Sequence, residues 1–272
     1  MGSNGSVRAG IDLGSRTVKV VLICVHSDGT AEIIARRVVD NTGAPQETAE
    51  ALLAQLLQEN GWDRSRVERC VTTGYGRYLL NQGGRAYPET VCMARGIMAQ
   101  VPDLPAECTL LDIGGQDTKV ARLYRDRPLK YKLNEFCAAG TGRFLENIAR
   151  VLGLTLEQLA EEACQANGEH ESMFKSKCSV FIESEVVEKI ARGFPLALIA
   201  TQVHNTLIDN HIKHMLNSVS FAPPLHFLGG VARNKYMVKR LSELYGDVVV
   251  PEGCQTISAI GAVLYDREQR PD

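Results

Sequence analysis

One short pattern occurs twice in this chain, about a hundred residues apart, and it restricts the possible folds more than any other feature. Residues 11–20 read IDLGSRTVKV, and residues 111–120 read LDIGGQDTKV. Each copy is an apolar strand that contains an aspartate, then a glycine-containing turn, then a second strand that carries a lysine. Because internal repetition is the signature of a duplicated architecture, the pattern predicts two related domains that face each other.

The length of the chain agrees with two modest domains. It has 272 residues, of which 44% are hydrophobic, enough for more than one core. Apolar runs alternate with segments of helical spacing, which predicts an α/β fold, with helices over residues 183–191, 196–217 and 235–245 among others. Pro102 and Pro105 follow a predicted helix and mark a crossing between domains. We therefore expect one domain over residues 7–101 plus 252–270 and the second over residues 102–251.

The composition argues against several classes of protein. The formal charge of −2 leaves no basic surplus for a phosphate backbone, so nucleic-acid binding is not expected. The N-terminal residues loosely match a myristoylation pattern, but they lack a polybasic neighbour, and no apolar run has the length of a membrane span. Eight cysteines permit disulfides, yet a chain of this size needs none and no signal peptide precedes it. We expect a cytoplasmic protein with reduced thiols and no membrane contact.

The two repeated hairpins have the chemistry of a nucleotide site. Backbone N–H groups in a glycine turn form a concavity that suits phosphate oxygens, and glycine lets the main chain approach closely. Asp12 and its counterpart Asp112 would hold a hydrated Mg²⁺, which prefers few protein ligands. Lys19 returns along the second strand and would reach a phosphate. The two hairpins are therefore expected to clamp the β- and γ-phosphates of one nucleotide.

A third glycine turn adds to this prediction. Residues 227–234 read FLGGVARN, which is typical of a strand, a glycine pair and the start of a helix. The glycines would let an adenine ring lie against the backbone, and Asn234 is the expected N-cap of the helix. The motifs of P-loop and dinucleotide-binding proteins are absent from the sequence.

Two of the cysteines stand out from the other six. Cys137 lies just before a Gly-Thr-Gly helix start, and Cys178 lies among polar and basic residues before another predicted helix, where a thiolate is stabilised. Two thiols cannot complete a four-ligand site, but a two-fold dimer would supply four. Four thiolates suit a [4Fe–4S] cluster, and zinc stays chemically possible. The remaining six are expected to pack as small apolar residues: Cys24, Cys70, Cys92, Cys108, Cys164 and Cys254.

The hairpins and the late glycine turn together resemble the superfamily of actin, sugar kinases and Hsp70, over about residues 7–268. That resemblance implies two ribonuclease-H-like domains with an ATP cleft between them. Three segments resemble one branch more narrowly: residues 111–119 (LDIGGQDTK), 137–146 (CAAGTGRFLE) and 178–186 (CSVFIESEV). This branch is the activator, or archerase, family of 2-hydroxyacyl-CoA dehydratases, with the ATP-binding subunits of benzoyl-CoA reductases and the reductases of double-cubane cluster proteins.

The narrower resemblance implies roles for individual residues. Cys137 and Cys178 would be ligands of one [4Fe–4S] cluster shared by a dimer, Asp12 and Asp112 would attend Mg²⁺ through water, and Gln116 would orient the attacking water. Arg16 stands where relatives commonly have a small hydroxyl residue. The implied nucleotide contacts are Gly14, Ser15, Arg16, Lys19, Gly114, Gly115, Gln116, Asp117, Gly229, Gly230 and Asn234.

The resemblance also implies a function. A homodimer would couple ATP hydrolysis to ADP with delivery of a low-potential electron to a partner metalloenzyme, namely a dehydratase, a benzoyl-CoA reductase or a double-cubane protein. Ferredoxin or flavodoxin would be the electron donor. Two alternatives stay open: a small-molecule or sugar kinase of the same superfamily, and an actin-like regulatory protein without redox chemistry. The kinase predicts substrate-dependent ATP consumption without iron, and the regulatory protein predicts a function that survives loss of Cys137.

Overall fold

The computed structural model describes residues 5–28, 30–80, 85–125, 127–134, 137–166 and 174–269. The chain divides into two compact units. Unit 1 comprises Met1–Ala106, Arg125–Pro128 and Pro251–Asp272, and unit 2 comprises Glu107–Tyr124 and Leu129–Val250. Both ends of the chain therefore belong to unit 1.

Each unit is built on a five-stranded sheet. The strands in chain order are β1 Ser6–Leu13, β2 Thr17–Val25, β3 Ala31–Asp40, β4 Val67–Thr73, β5 Arg85–Ala86, β6 Glu107–Ile113, β7 Thr118–Tyr124, β8 Arg127–Asn134, β9 Leu225–Leu228 and β10 Val248–Val249. The first sheet has the order β3-β2-β1-β4-β5, and the second has the order β8-β7-β6-β9-β10. The duplication seen in the sequence therefore extends to the topology of the whole sheet.

Both predicted hairpins are confirmed. The pairs β1–β2 and β6–β7 are antiparallel, with Asp12 opposite Lys19 in the first and Asp112 opposite Lys119 in the second. The third strand of the second sheet, β8, is absent from the sequence prediction. Its signal was present, because Leu129, Tyr131 and Leu133 alternate with polar residues as a strand requires.

Nine helices lie in the described part of the chain, three of them in unit 1. They are α1 Pro45–Glu59, α2 Glu89–Gln100, α3 Gly142–Leu152, α4 Leu156–Gln165, α5 Ser179–Ala191, α6 Leu196–Leu207, α7 Lys213–Ser218, α8 Lys235–Tyr245 and α9 Ile257–Gln269. The predicted helix over 235–245 is confirmed. The helix expected over 183–191 begins four residues earlier, and the one expected over 196–217 is interrupted by a π-helical turn at Ile208–Ile212.

The core of unit 1 lies on both faces of its sheet. On one face, α1 buries an apolar stripe that includes Leu52 and Leu56 against β1 and β2. On the other face, α2 and α9 pack very closely because glycines stand where they meet. A Cβ at Gly261 would overlap the carbonyl oxygen of Cys92, and a Cβ at Gly96 would overlap that of Ile257.

In unit 2, the N-terminus of α3 lies beside the second hairpin, where Gly142 donates its N–H to the carbonyl of Gly114 at 2.9 Å. Phe144, Leu145 and Ile148 are buried at helical spacing, and Gly153 ends the helix in the left-handed conformation with φ of 68°. A 3₁₀ turn at Ala138–Gly140 precedes α3. Across the described residues, no helix is both long enough and apolar enough to cross a bilayer.

Candidate functional site

The first hairpin contains a largely buried ion pair next to its turn. Lys19 Nζ lies 2.9 Å from Asp12 Oδ2, and the second oxygen of Asp12 is buried without a hydrogen-bond partner in the described structure. Gly14 closes the turn by donating its N–H to the carbonyl of Thr17 at 3.1 Å. A Cβ at Gly14 would lie 2.7 Å from Lys19 Nζ, so a side chain at that position would displace the lysine.

The two residues at the tip of the first turn are half-buried. Arg16 accepts a hydrogen bond from the N–H of Asn41 through its carbonyl, and its guanidinium lies 3.4 Å from Asp40. Ser15 lies beside it at the tip. Arg16 is therefore anchored to the end of β3 both by its backbone carbonyl and by its side chain.

The second hairpin repeats this geometry with a different charge arrangement. Gly114 donates its N–H to the carbonyl of Asp117 at 2.9 Å, as Gly14 does to Thr17. Lys119 is buried and lies 2.7 Å from the Asp117 carboxylate. Lys119 was missing from the predicted site, although the repeat aligns it with Lys19. Asp112 is half-buried at the end of β6, and at the tip Gly115 is half-buried and Gln116 exposed.

A glycine lies against each of the two aspartates. Gly229, after β9, has φ of 82°, and a Cβ there would overlap Asp112 Oδ1 and the carbonyl of Ile113. Gly74, after β4, has φ of 93°, and a Cβ there would overlap Asp12 Oδ1 and crowd the carbonyl of Leu13. Gly229 was among the predicted nucleotide contacts and Gly74 was not, because the two glycines are related only by the equivalent places of β4 and β9 in the two sheets.

The turn after Gly229 is held by a buried polar network. Gly230 begins a 3₁₀ turn, and Asn234 caps α8 by accepting the N–H of Met237 at 3.0 Å, which confirms the predicted N-cap. Asn234 Nδ2 lies 2.9 Å from His204 Nε2. His204 Nδ1 lies 2.7 Å from the carbonyl of Ala200, which can only accept, so the proton is on Nδ1 and Nε2 accepts from Asn234.

Burial keeps this histidine neutral. His204 is fully buried, and desolvation lowers its pKa from 6.5 to about 4. The one acceptor nitrogen of the neutral imidazole can bind only the NH₂ end of the Asn234 amide. The Asn234 oxygen therefore points to the start of α8, where it accepts the N–H of Met237.

Cys137 begins the 3₁₀ turn that precedes α3. The Asn134 side chain makes two hydrogen bonds to the backbone of Cys137. Its amide nitrogen donates to the Cys137 carbonyl at 3.1 Å, and its oxygen accepts the Cys137 N–H at 3.3 Å. The third residue of the turn, Gly140, lies against His211, whose Nδ1 would be 3.1 Å from a Cβ at that position. The turn is therefore packed between Asn134 and the π-helical turn that carries His211.

Cys178 is the N-cap residue of α5. It is exposed, and no described side chain caps this helix, so the first N–H groups of α5 face outward beside the thiol. The residues just before Cys178 are hydrogen-bonded to the side chain of a residue in α5. Glu185 accepts the N–H groups of Lys175 and Ser176, each at 2.9 Å, and Ser176 Oγ accepts the N–H of Cys178 at 3.2 Å.

The other cysteines follow the prediction with one exception. Cys24, Cys70, Cys92, Cys108 and Cys254 are buried, whereas Cys164 is exposed. The prediction was wrong for Cys164 because α4 buries Leu159, Ala160 and Ala163, and the next residue points away from that face. Accessible thiols are therefore found at positions 137, 164 and 178.

The residues present fit the groups that the resemblance implies. The unpartnered, buried oxygen of Asp12 suits a hydrated divalent cation, and the Lys19 ammonium group close to Gly14 suits phosphate oxygens. Cys137 and Cys178 offer thiol ligands of the kind that hold iron–sulfur clusters. Among the residues that the structure describes, no group of three or more His, Cys, Asp or Glu side chains is arranged to hold a metal.

Comparison with known proteins agrees with the arrangement of the sheets and hairpins. The chain is 35% identical to the activator of lactoyl-CoA dehydratase from Anaerotignum propionicum, over 95% of this chain and 96% of the relative. It is 31% identical to the 2-hydroxyisocaproyl-CoA dehydratase activator from Clostridioides difficile, over 94% of this chain and 93% of that protein.

A solved structure matches over nearly the whole chain as well. The activator of the 2-hydroxyisocaproyl-CoA dehydratase from Clostridium difficile, with bound ADPNP, superposes with a TM-score of 0.85 at 28% identity, over 97% of this chain and 95% of that one. The α/β fold with two related units is thereby confirmed. The model of the BadF/BadG/BcrA/BcrD ATPase family matches residues 9–265, so the chain belongs to this family.

Proposed function

We propose that the chain is an ATP-dependent electron-transfer activator, a dimer that shares one [4Fe–4S] cluster and passes a low-potential electron to a partner metalloenzyme. The observation that carries this proposal is the position of two accessible thiols, Cys137 and Cys178, each at the start of a helical segment in unit 2. Relatives that are named as dehydratase activators supply the context.

The nucleotide part of the proposal rests on the hairpins. Asp12 and Asp112 would bind Mg²⁺ through water molecules. Gln116, which is exposed at its turn, would orient the attacking water. Catalysis of this kind needs positioning and charge stabilisation rather than a covalent nucleophile. Phosphate contacts would come from the turn residues and Lys19, and the Gly229–Gly230 turn would take the adenosine end.

The cluster part rests on the number and position of the thiols. Two ligands per chain make half of a four-thiolate set, and a homodimer with a two-fold axis is the simplest source of the rest. Val180 and Phe181, two and three residues after Cys178, are 66% and 64% exposed, as expected for a surface that a second copy covers. A bound cluster would supply a one-electron carrier at low potential.

The partners follow from the same proposal. A 2-hydroxyacyl-CoA dehydratase, a benzoyl-CoA reductase or a double-cubane protein would accept the electron, and ferredoxin or flavodoxin would donate it. Such a reaction is expected in the cytoplasm of a cell that grows without oxygen.

Anaerobic purification and reconstitution test the proposal. Wild-type protein should be brown, with about four irons per dimer, and should hydrolyse ATP. Cys137→Ala should lose the iron, whereas Cys164→Ala, which removes an accessible thiol outside the proposed ligand set, should keep it. Colourless protein without iron after reconstitution would reject the cluster. Rapid ATP consumption that requires a hydroxylated substrate, in the same iron-free protein, would instead identify a kinase.

A further inference from the structure

The turn that carries Cys137 is hydrogen-bonded directly to the second hairpin. Gly142 and Arg143, the first two residues of α3, donate their N–H groups to the carbonyls of Gly114 and Gly115 at 2.9 and 2.8 Å. Thr118, the first residue of β7, donates its hydroxyl to the carbonyl of Gly140 at 2.6 Å. The hairpin that would contact phosphate therefore also holds the segment between Cys137 and α3.

Of these three bonds, only the one from Thr118 involves a side chain. Thr118 is completely buried. The N–H of Gly140 in turn donates to the carbonyl of Cys137 at 3.1 Å. Two hydrogen bonds in series thus connect Thr118, the first residue after the turn of the hairpin, with the backbone of Cys137.

The turn has little room to absorb a movement of the hairpin. A Cβ at Gly140 would overlap the amide of Asn134 and lie 3.1 Å from His211, so the backbone there is closely packed on both sides. Asn134 also binds both backbone polar groups of Cys137. Closely packed segments shift as units rather than deforming continuously.

We propose that Thr118 is a positioning residue that couples nucleotide binding at the second hairpin to the placement of Cys137. This inference rests on the proposed function, in which the hairpin contacts phosphate and Cys137 is a cluster ligand. A change in the backbone of residues 114–118 on nucleotide binding would be passed through the Thr118 hydroxyl to Gly140 and from there to Cys137.

The test uses the full chain without a cluster, so that it does not depend on iron. The rate of alkylation of Cys137 is measured by mass spectrometry of its peptide, without nucleotide and with saturating ADP or ADPNP and Mg²⁺. Saturation is checked by a separate binding titration for each protein. In wild-type protein, nucleotide should change the rate about fivefold or more, the lower end of measured couplings between sites.

Three variants isolate the hydroxyl. Thr118→Val keeps the shape but removes the hydrogen bond, and its ratio of rates with and without nucleotide should fall towards one. Thr118→Ser keeps the hydroxyl and should restore the wild-type ratio. Thr109→Val is the matched control, because Thr109 is equally buried in the same sheet, near the start of β6, and donates to the carbonyl of Ala222 at 2.8 Å, away from the turn of the hairpin. Its ratio should match the wild type.

Two results would overturn the inference. One is a Thr118→Val protein that binds nucleotide and keeps the wild-type ratio. The other is wild-type protein whose Cys137 reacts at the same rate with and without saturating nucleotide, a result that stands even if Thr118→Val does not fold.

Failure of the proposed function has a separate signature. Wild-type protein that shows the nucleotide-dependent rate but takes up no iron would reject the cluster and leave the coupling intact. Where iron is bound, the reduction potential gives a further readout. Nucleotide should shift the midpoint potential in wild-type and Thr118→Ser protein, and the shift should be lost in Thr118→Val.

Discussion

Lys19 Nζ lies 2.9 Å from Asp12 Oδ2, directly across the first hairpin. At the same position of the second hairpin, Lys119 lies 2.7 Å from the carboxylate of Asp117. This carboxylate is an addition of the second copy, because the residue that aligns with Asp117 in the first copy is Thr17. Two hairpins with one backbone therefore present different charges, and we expect them to contribute differently to nucleotide hydrolysis.

Asp12→Asn should lower kcat for ATP hydrolysis by roughly a hundredfold, the loss seen when one preorganised electrostatic group is removed. The neutral amide cannot balance the charge of Lys19, and it has no negative charge and only one oxygen to offer to a cation. Steady-state hydrolysis at several Mg²⁺ concentrations measures the effect. Asp28→Asn, at an exposed turn of the same unit, is the control. A kcat within about twofold of wild type would contradict the proposed role of Asp12.

Gly74→Ala and Gly229→Ala should each weaken nucleotide binding and lower the melting temperature. An alanine with positive φ costs about 1–2 kcal/mol anywhere, and at these two positions its Cβ would also displace Asp12 or Asp112. Gly61→Ala and Gly153→Ala are matched controls, because both have positive φ but no atom within 4 Å of the added Cβ. Calorimetry should show a larger fall in melting temperature for the variants at 74 and 229 than for the controls, and nucleotide titration should show a larger fall in affinity. Equal losses would mean that the aspartates are not positioned by these glycines.

Acidification should destabilise the protein through His204. Burial lowers its pKa from 6.5 to about 4. Between these pH values, His204 is therefore protonated in the unfolded chain and neutral in the folded chain. The stabilisation from this histidine is present above pH 6.5 and is lost as the pH falls towards 4, by about 3 kcal/mol in total.

Urea denaturation at several pH values checks this prediction. The free energy of unfolding of His204→Gln should be lower at pH 7 and should depend less on pH between 6.5 and 4. An unchanged slope in His204→Gln would show that this buried imidazole is not the group that titrates.

Alkylation of the native protein should separate the eight cysteines into two groups. Cys137, Cys164 and Cys178 should react, whereas the buried thiols should not. Burial raises the pKa of Cys92 to about 12 and that of Cys108 to about 11, so both stay protonated near neutral pH. After cluster assembly, Cys137 and Cys178 should become protected and Cys164 should stay reactive. Protection of Cys164 together with the other two would contradict the proposed ligand set.

Glu185→Ala should release the segment that leads to Cys178. The carboxylate accepts two consecutive backbone N–H groups, and Lys189, one turn further along α5, lies 5.4 Å from the ring of Phe174. Loss of the two charge-assisted bonds should speed hydrogen exchange at Lys175 and Ser176 by at least about tenfold. Glu185→Gln keeps one acceptor and should be intermediate. Glu188→Ala removes only an exposed pair with Arg192 and should leave both amides protected.

The parts of the fold that sequence reasoning predicted are those with local signals. The aspartate, glycine and lysine of each hairpin lie within ten residues, and Asn234 caps the helix that begins directly after it. The errors lie where local signals are weak. Strand β8 alternates over only a few positions, and the exposure of Cys164 depends on which face of α4 is buried.

The sequence by itself determined the two hairpins, the cap of α8 and the resemblance to the activator family, because each depends on residues that are close together in the chain. Tertiary structure alone decided that Gly74 lies against Asp12, that His204 orients Asn234 and that Thr118 holds the turn of Cys137. These contacts join residues between about twenty and sixty positions apart. They form only when strands and helices pack, so no short pattern in the sequence reports them.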